Sequence, residues 1–222
     1  MPLDPYCLKS GRIKKIGPWL AAPRKGMALL TTEHGRMGYL ADFALYAIAS
    51  TTLALLLAVA APHERRVEIL VFAFAGLAMW TLVEYVLHRF VLHGLQPFRA
   101  WHAEHHRRPR ARIATPAILS AALITALVFI PALVLRDSWR AGALTFGLLT
   151  GYLIYTIVHH AAHHWRGDPA WLRGIRRHQS LHHSPVAANA RFGVTSTLWD
   201  VVFRTNGPPA VPHTAPARRA MS

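Results

Sequence analysis

One cysteine, Cys7, stands among 222 residues, so no internal disulfide can form and a disulfide-stapled scaffold is excluded. Charge is scarce as well. Asp, Glu, Lys and Arg make up 16% of the chain, against roughly 25% in a typical soluble domain. Carboxylates are scarcest, with ten acidic residues against 25 basic ones. Only Glu84, Glu104, Asp168 and Asp200 lie near the histidine-rich segments. A carboxylate-bridged metal bundle built on Glu-x-x-His pairs is therefore disfavoured. An uninterrupted apolar stretch is also missing from residues 16–31, which Pro18, Pro23, Arg24 and Lys25 break up. That argues against a cleavable signal peptide and leaves a short surface helix as the reading of this stretch.

Long apolar runs are what the chain does have. Four of them, 39–61, 67–87, 116–135 and 141–158, reach the ~20 apolar residues that cover a bilayer's hydrocarbon core. Only residues 62–66 and 136–140 separate the members of each pair, so the runs form two hairpins. Pro131 falls late in the third and predicts a kink there, which membrane helices tolerate. The polar stripe of a soluble helix is almost absent from all four. The expected fold is all-α, an integral membrane protein with four transmembrane helices in two hairpins. Outside the runs, 21 Lys and Arg fall on one side of that topology and four on the other. The positive-inside rule then puts both termini in the cytoplasm. It also accounts for the basic excess without nucleic acid. We divide the chain into a basic cytoplasmic segment, 1–38, a membrane domain, 39–205, and a Pro/Ala-rich flexible tail, 206–222.

Fifteen histidines are present, and twelve of them cluster. "HRFVLH" holds His88 and His93; "HAEHH" holds His102, His105 and His106. "HHAAHH" holds His159, His160, His163 and His164; "HQSLHH" holds His178, His182 and His183. All four clusters lie on the predicted cytoplasmic side, although that side was assigned from Lys and Arg alone. Residues three and four apart share a helix face. His102, His105 and His106 can therefore point one way, as can His159 with His163 or His160 with His164, and His178 with His182. Neutral imidazoles are good ligands for iron, zinc or copper, and this many exceed what one ion takes. The pattern predicts a histidine-rich di-metal cap on the cytoplasmic face. Glu84, one turn before His88, is placed either to orient that ring or to pair with Arg89 at the membrane interface.

These boxes, together with "EYVLHRFVLH", "HAEHHRRP", "GYLIYTIVHHAAHH" and "RFGVTSTLWDVVF", are similar to the fatty acid hydroxylase (sterol desaturase-like) superfamily, and within it to the fatty-acid 2-hydroxylase branch. The resemblance covers roughly residues 67–205. It implies a non-haem di-iron oxygenase whose ligands are His88, His93, His102, His105, His106, His159, His163, His182 and His183. The family usually has a further histidine three residues before the final pair, where this chain has Gln179. Two readings complete the set: His178, four residues before His182, is expected as the tenth ligand, and the alternative is that Gln179 fills the position itself, through its carbonyl oxygen or by holding a water.

The implied reaction is hydroxylation of a fatty acyl chain by dioxygen and two electrons, with two irons as cofactor and zinc able to occupy the same ligands. No flavin, nicotinamide or haem motif occurs, so the electrons are expected from a separate ferredoxin-like or cytochrome donor. A carotenoid ring hydroxylase and a lipid desaturase share the chemistry. A histidine-rich metal-handling protein is the non-enzymatic alternative, and it would place its ligands inside the spans. Trp80 and Tyr152 are read as an interfacial aromatic belt, and Tyr155 as lining the approach to the metals. Phe192, Leu198, Trp199, Val202 and Phe203 have near-helical spacing that suggests a helix over the site. Asp200 is assigned to helix capping or to pairing with an arginine.

Overall fold

Proline and the paired apolar runs set the outline. In the computed structural model, residues 35–112, 117–167, 169–184 and 190–207 are described, with the side chains of 117–121 left aside. Helix α1 (Arg36–Ala60) stops ahead of Pro62, and a 3-10 turn, His63–Arg65, reverses the chain into α2 (Arg66–Val86). A π-helical turn, Leu87–Leu92, extends α2. Next come α3 (Phe98–Arg107), α4 (Ala117–Leu135), α5 (Ser138–His164), α6 (Ala170–His182) and α7 (Leu198–Val202). Asp137 caps α5 by accepting the Arg140 N–H at 2.9 Å. The Cys7 thiol, the 16–31 stretch and nearly all of the tail lie outside the described residues.

Among the described residues, three helical stretches are long and apolar enough to cross a membrane: Arg36–Ala60, His63–Leu92 and Ser138–His164. Their outward side chains, among them Ile48, Val59, Leu70 and Phe74, are mostly exposed and apolar, as lipid contact requires. The third apolar run, 116–135, falls on helix α4, of which the described stretch Ala122–Leu135 is a shorter apolar helix and not one of these three.

Helices α2 and α5 form the centre, with α1 and α4 against α5. Their approach depends on small residues, the usual means of close packing where no hydrophobic effect drives helices together. A Cβ added at Gly147 would sit 2.1 Å from the Ala73 carbonyl oxygen and 2.7 Å from the Leu77 nitrogen. Both are backbone atoms that cannot swing aside. Gly147→Ala is therefore expected to force α2 and α5 apart, at or above the ~1–3 kcal/mol usual for overpacking, and to lower the thermal midpoint. Gly142→Ala in the same helix is the control, since a Cβ there meets only side-chain atoms at 3.7 and 3.8 Å. Equal midpoints for the two variants would show that the helices do not depend on this contact.

Trp80 and Tyr152 do not form an aromatic belt. They are 2% and 3% exposed and pack with Tyr46 at the centre of the bundle. The Tyr152 ring lies 4.0 Å from that of Tyr46 and perpendicular to Trp80 at 5.3 Å. Burial of three large rings in the helix interface removes more surface than an edge position would. At the opposite end, Arg65 bridges Glu68 and Asp137 at 2.8 Å each and ties the tips of the two hairpins together.

Candidate metal centre

His88 and His93 are five residues apart, a spacing that leaves side chains about 140° apart on an α-helix. The π-helical turn removes the mismatch. His93 N–H donates to the His88 carbonyl at 3.1 Å, and the i→i+5 repeat brings the two rings to 5.1 Å. On α3 the helix is regular, and adjacent residues point about 100° apart. His102, His105 and His106 accordingly do not all point one way. His102 and His106 join His88, His93 and His182, while His105 joins His159, His163 and His183. The pair at the end of α6 divides in the same manner. Within each group the ligand atoms all lie within 4.8 Å of one another. The groups are adjacent, with the rings of His106 and His183 stacked at 4.2 Å.

Hydrogen bonds decide which ring nitrogens are free to ligate. His88 Nδ1 lies 2.6 Å from the Phe192 carbonyl, and His182 Nδ1 lies 2.8 Å from the Ala190 carbonyl. A carbonyl can only accept, so both Nδ1 atoms carry the proton and both Nε2 atoms present a lone pair. His88 Nε2 faces His102 Nε2 at 3.0 Å, and His182 Nε2 faces His93 Nε2 at 3.2 Å. In the second group, His159 and His163 Nε2 are 3.2 Å apart. Both ring nitrogens of His105 and of His183 are buried without a hydrogen-bond partner among the described residues. Converging imidazole nitrogens, with His88 and His182 Nε2 each presenting a lone pair, are a donor set that fits transition-metal ions.

Protons are a poor substitute for a metal here. Burial, then repulsion from neighbouring imidazoles, pushes His105, His106 and His183 down from 6.5 to about 3 and His93 to about 4. The rings therefore stay neutral and ready to ligate at physiological pH. An unfolded chain takes up these protons from about pH 6.5 downward, whereas the folded, metal-free chain does not until about pH 4 to 3. Stability is thus lower on the acid side. The thermal midpoint of metal-free protein is expected to be flat above about pH 7 and to fall between about pH 6.5 and 4. A midpoint that rose over that interval would contradict neutral, buried rings.

The segment 190–195 holds the first group in place. It is not helical; only Leu198–Val202 forms a helix, because the expected helical spacing around Phe192 is spent on an irregular loop. Arg191 adopts a left-handed φ of 63° between the two carbonyls that receive His182 and His88, a conformation that costs a non-glycine residue about 1 kcal/mol. Two buried carboxylates anchor this loop. Glu84 accepts the N–H groups of Val194 at 2.6 Å and Thr195 at 2.9 Å, and the Thr195 hydroxyl. Among the described residues it has no hydrogen bond to His88 and no ion pair with Arg89, which donates to the Tyr85 hydroxyl. Asp200, fully buried, accepts Phe192 N–H and Gly193 N–H at 2.9 Å and the Thr205 hydroxyl at 2.7 Å. Burial alone raises its pKa, but bonds from His178, Thr205, Gly193 and Phe192 outweigh this and hold it below the usual carboxylate value.

His178, expected as the tenth ligand, is in neither group; its Nε2 lies 3.3 Å from Asp200 Oδ2. Asp200 thus has this histidine as a close neighbour. Tyr155 stacks on His159 at 5.7 Å, against the back of the second group. His160 and His164 stack on each other at 4.5 Å on another face of α5, where the Tyr39 hydroxyl meets His160 Nδ1 at 3.0 Å. Gln179 is 2% exposed on α6. The residues that sequence reasoning missed are Ala190 and Phe192, whose contribution is a backbone carbonyl. The "FGVTSTLWD" motif pointed to the stretch but not to those atoms.

Residues 73–205 match the model of the fatty acid hydroxylase family. A dihydroceramide fatty acyl 2-hydroxylase of Arabidopsis thaliana is 33% identical over 146 residues, 61% of this chain and 60% of its own length. The ceramide very long chain fatty acid hydroxylase of Schizosaccharomyces pombe is 33% identical over 149 residues, 62% and 42% of the two chains. A fatty acid 2-hydroxylase of Rattus norvegicus is 30% identical over 144 residues, 59% and 38%. The matched region thus spans no more than about 60% of the length of these curated relatives. A solved structure of full-length scs7p, with only its hydroxylase domain visible, superposes with a TM-score of 0.65. It covers 82% of this chain and 70% of that one at 24% identity, and so speaks for the fold alone.

Proposed function

Because the chain belongs to the fatty acid hydroxylase family, we propose that it is a multi-pass membrane oxidoreductase that hydroxylates a lipid's fatty acyl chain with dioxygen and two electrons from a separate donor. The observation that carries this reading is the pair of adjacent imidazole groups, five and four strong, at one end of the α2–α5 pair. His88, His93, His102, His106 and His182 would hold one iron, and His105, His159, His163 and His183 the other. Bound there, two irons supply oxygen-dependent attack on an unactivated C–H bond. Zinc competes well for such ligands and is expected in some purified samples.

The protein's part is to hold, orient and exclude. The Phe192 and Ala190 carbonyls keep His88 and His182 in the ligating tautomer, as outer partners do at metal sites generally. The loop itself, with Phe192 and Val194 each 4% exposed, keeps bulk water off this side. A lipid's apolar chain stays among the exposed side chains of the helices while its polar end reaches the histidine layer. We assign α4 as the fourth crossing, residues 39–205 as the hydroxylase domain, and both basic termini to the cytoplasm. The basic face there suits an acidic donor protein through electrostatic steering. A metal-handling role is disfavoured because the grouped histidines lie in or beside the π-helical turn after α2, on the last turns of α5, and on α3 and the end of α6, all toward one end of the bundle.

Expression in a host with a compatible reductase is expected to give lipids heavier by one oxygen, with the label arriving from dioxygen and not from water. Loss of two hydrogens alone would make the chain a desaturase. Change confined to carotenoids would overturn the acyl substrate.

A further inference from the structure

We infer that the side-chain carboxamide of Gln179 ligates the second metal through Oε1, alongside His105, His159, His163 and His183, so that the two metals are held unequally. This rests on the di-metal reading above. The two groups differ in size: five imidazoles converge in one and four in the other. Gln179 lies on α6 one turn before His183, where the helix is regular and His183 N–H donates to the Gln179 carbonyl at 2.9 Å. Successive residues turn by about 100° around a helix, which puts Gln179 about 40° from His183 and about 60° from His182, so the carboxamide lies nearer the side that carries His183. His178, one residue earlier, is turned away toward Asp200.

Gln179 is 2% exposed, and neither Oε1 nor Nε2 has a hydrogen-bond partner among the described residues. Burying an amide without a partner costs about 1–3 kcal/mol, so such a group usually has a use. His105 and His183 carry the same signature, with both ring nitrogens buried and unpartnered. Polar atoms without a partner thus occur on two members of the four-imidazole group and on Gln179, one helical turn before one of them. A metal ion is a partner that answers all three. An amide oxygen is a weaker donor to such ions than imidazole. The second metal should therefore be the looser and more exchangeable of the two, and the first should be indifferent to residue 179.

The test uses the full chain in detergent, stripped and reloaded with zinc, then challenged with a chelator. We expect two zinc ions per wild-type chain, released in two phases. Gln179→His should slow the fast phase by about tenfold or more and leave the slow phase unchanged. Gln179→Leu should lower the count toward one. Loading with cobalt gives a second readout, in which Gln179→His should alter the visible bands of one ion only. Should Gln179→Leu fail to fold by circular dichroism, Gln179→Glu, which keeps an oxygen donor, should retain both metals and slow the fast phase. Two zinc ions with identical release in wild type, Gln179→His and a folded Gln179→Leu would overturn the inference while leaving the di-metal reading intact. Fewer than two zinc ions in the wild type would overturn that reading, and the inference with it.

Discussion

His105→Ala is expected to lose metal and oxidation together. The His105 ring is 6% exposed and central to its group, lying 4.9 Å from His159, 5.1 Å from His163 and 4.9 Å from His183. Removing it leaves three imidazoles and a cavity between α3, α5 and α6. Loss of an outer partner at a metal site typically costs 10–100-fold in affinity or activity, and a group that itself ligates should cost more than that. Metal content should fall from two toward one per chain, and product formation should fall by more than about 100-fold. His160→Ala is the matched control. It removes a histidine adjacent to His159 in sequence, but one that faces Tyr39 and His164. Metal content and activity should survive it. Full activity in His105→Ala would strike this residue from the site, and equal losses in both variants would point to general destabilisation.

The second large effect is expected at Asp200, which belongs to neither imidazole group. Replacement by alanine leaves Phe192 N–H, Gly193 N–H and the Thr205 hydroxyl without their acceptor. Stranding buried donors costs roughly 1–3 kcal/mol each, so a loss of about 3 kcal/mol or more is expected in the metal-free protein. The consequence for metal is selective. The loop that Asp200 holds supplies the carbonyls fixing His88 and His182, both in the five-imidazole group. Affinity at that group should drop about 10–100-fold, while the group around His105 changes less. Asp200→Asn keeps one acceptor oxygen and should fall between wild type and alanine on both measures. Unchanged affinity at the five-imidazole group in a folded Asp200→Ala protein would show that the loop does not position those rings. Asp200 also predicts acid sensitivity of its own sign. Its lowered pKa contributes stability above the unfolded carboxylate value, about pH 4, and that contribution is lost as pH falls through the folded value.

Several features were legible in the chain alone because they are local and repetitive. An apolar run either is or is not long enough for a bilayer, and the three helices that meet that length, together with α4, fall where the runs fall. Histidines placed directly after apolar runs mark the end of the bundle at which any metal must sit. The family resemblance rested on the same boxes and extends over residues 73–205.

Tertiary structure decided the rest. Helical periodicity gives the angle between two side chains but not which face turns inward. Only the packing of α5 on α2 and α1 separates His159 and His163, inside, from His160 and His164, against Tyr39. The H-x4-H spacing looks unfavourable until a π-helical turn supplies a different pitch, and nothing in "HRFVLH" announces that turn. The adjacent pairs at 105–106 and 182–183 divide between two groups because neighbours on a helix diverge by about 100°, and only the other helices determine which neighbour meets which group. His178 was read as a ligand from its spacing to His182, yet it lies outside both groups, its Nε2 3.3 Å from Asp200. The carbonyls of Ala190 and Phe192 lay beyond any reading of side chains. Every residue carries the same backbone acceptor, and it becomes specific only when a fold anchored by Glu84 and Asp200 brings it within reach of a particular imidazole.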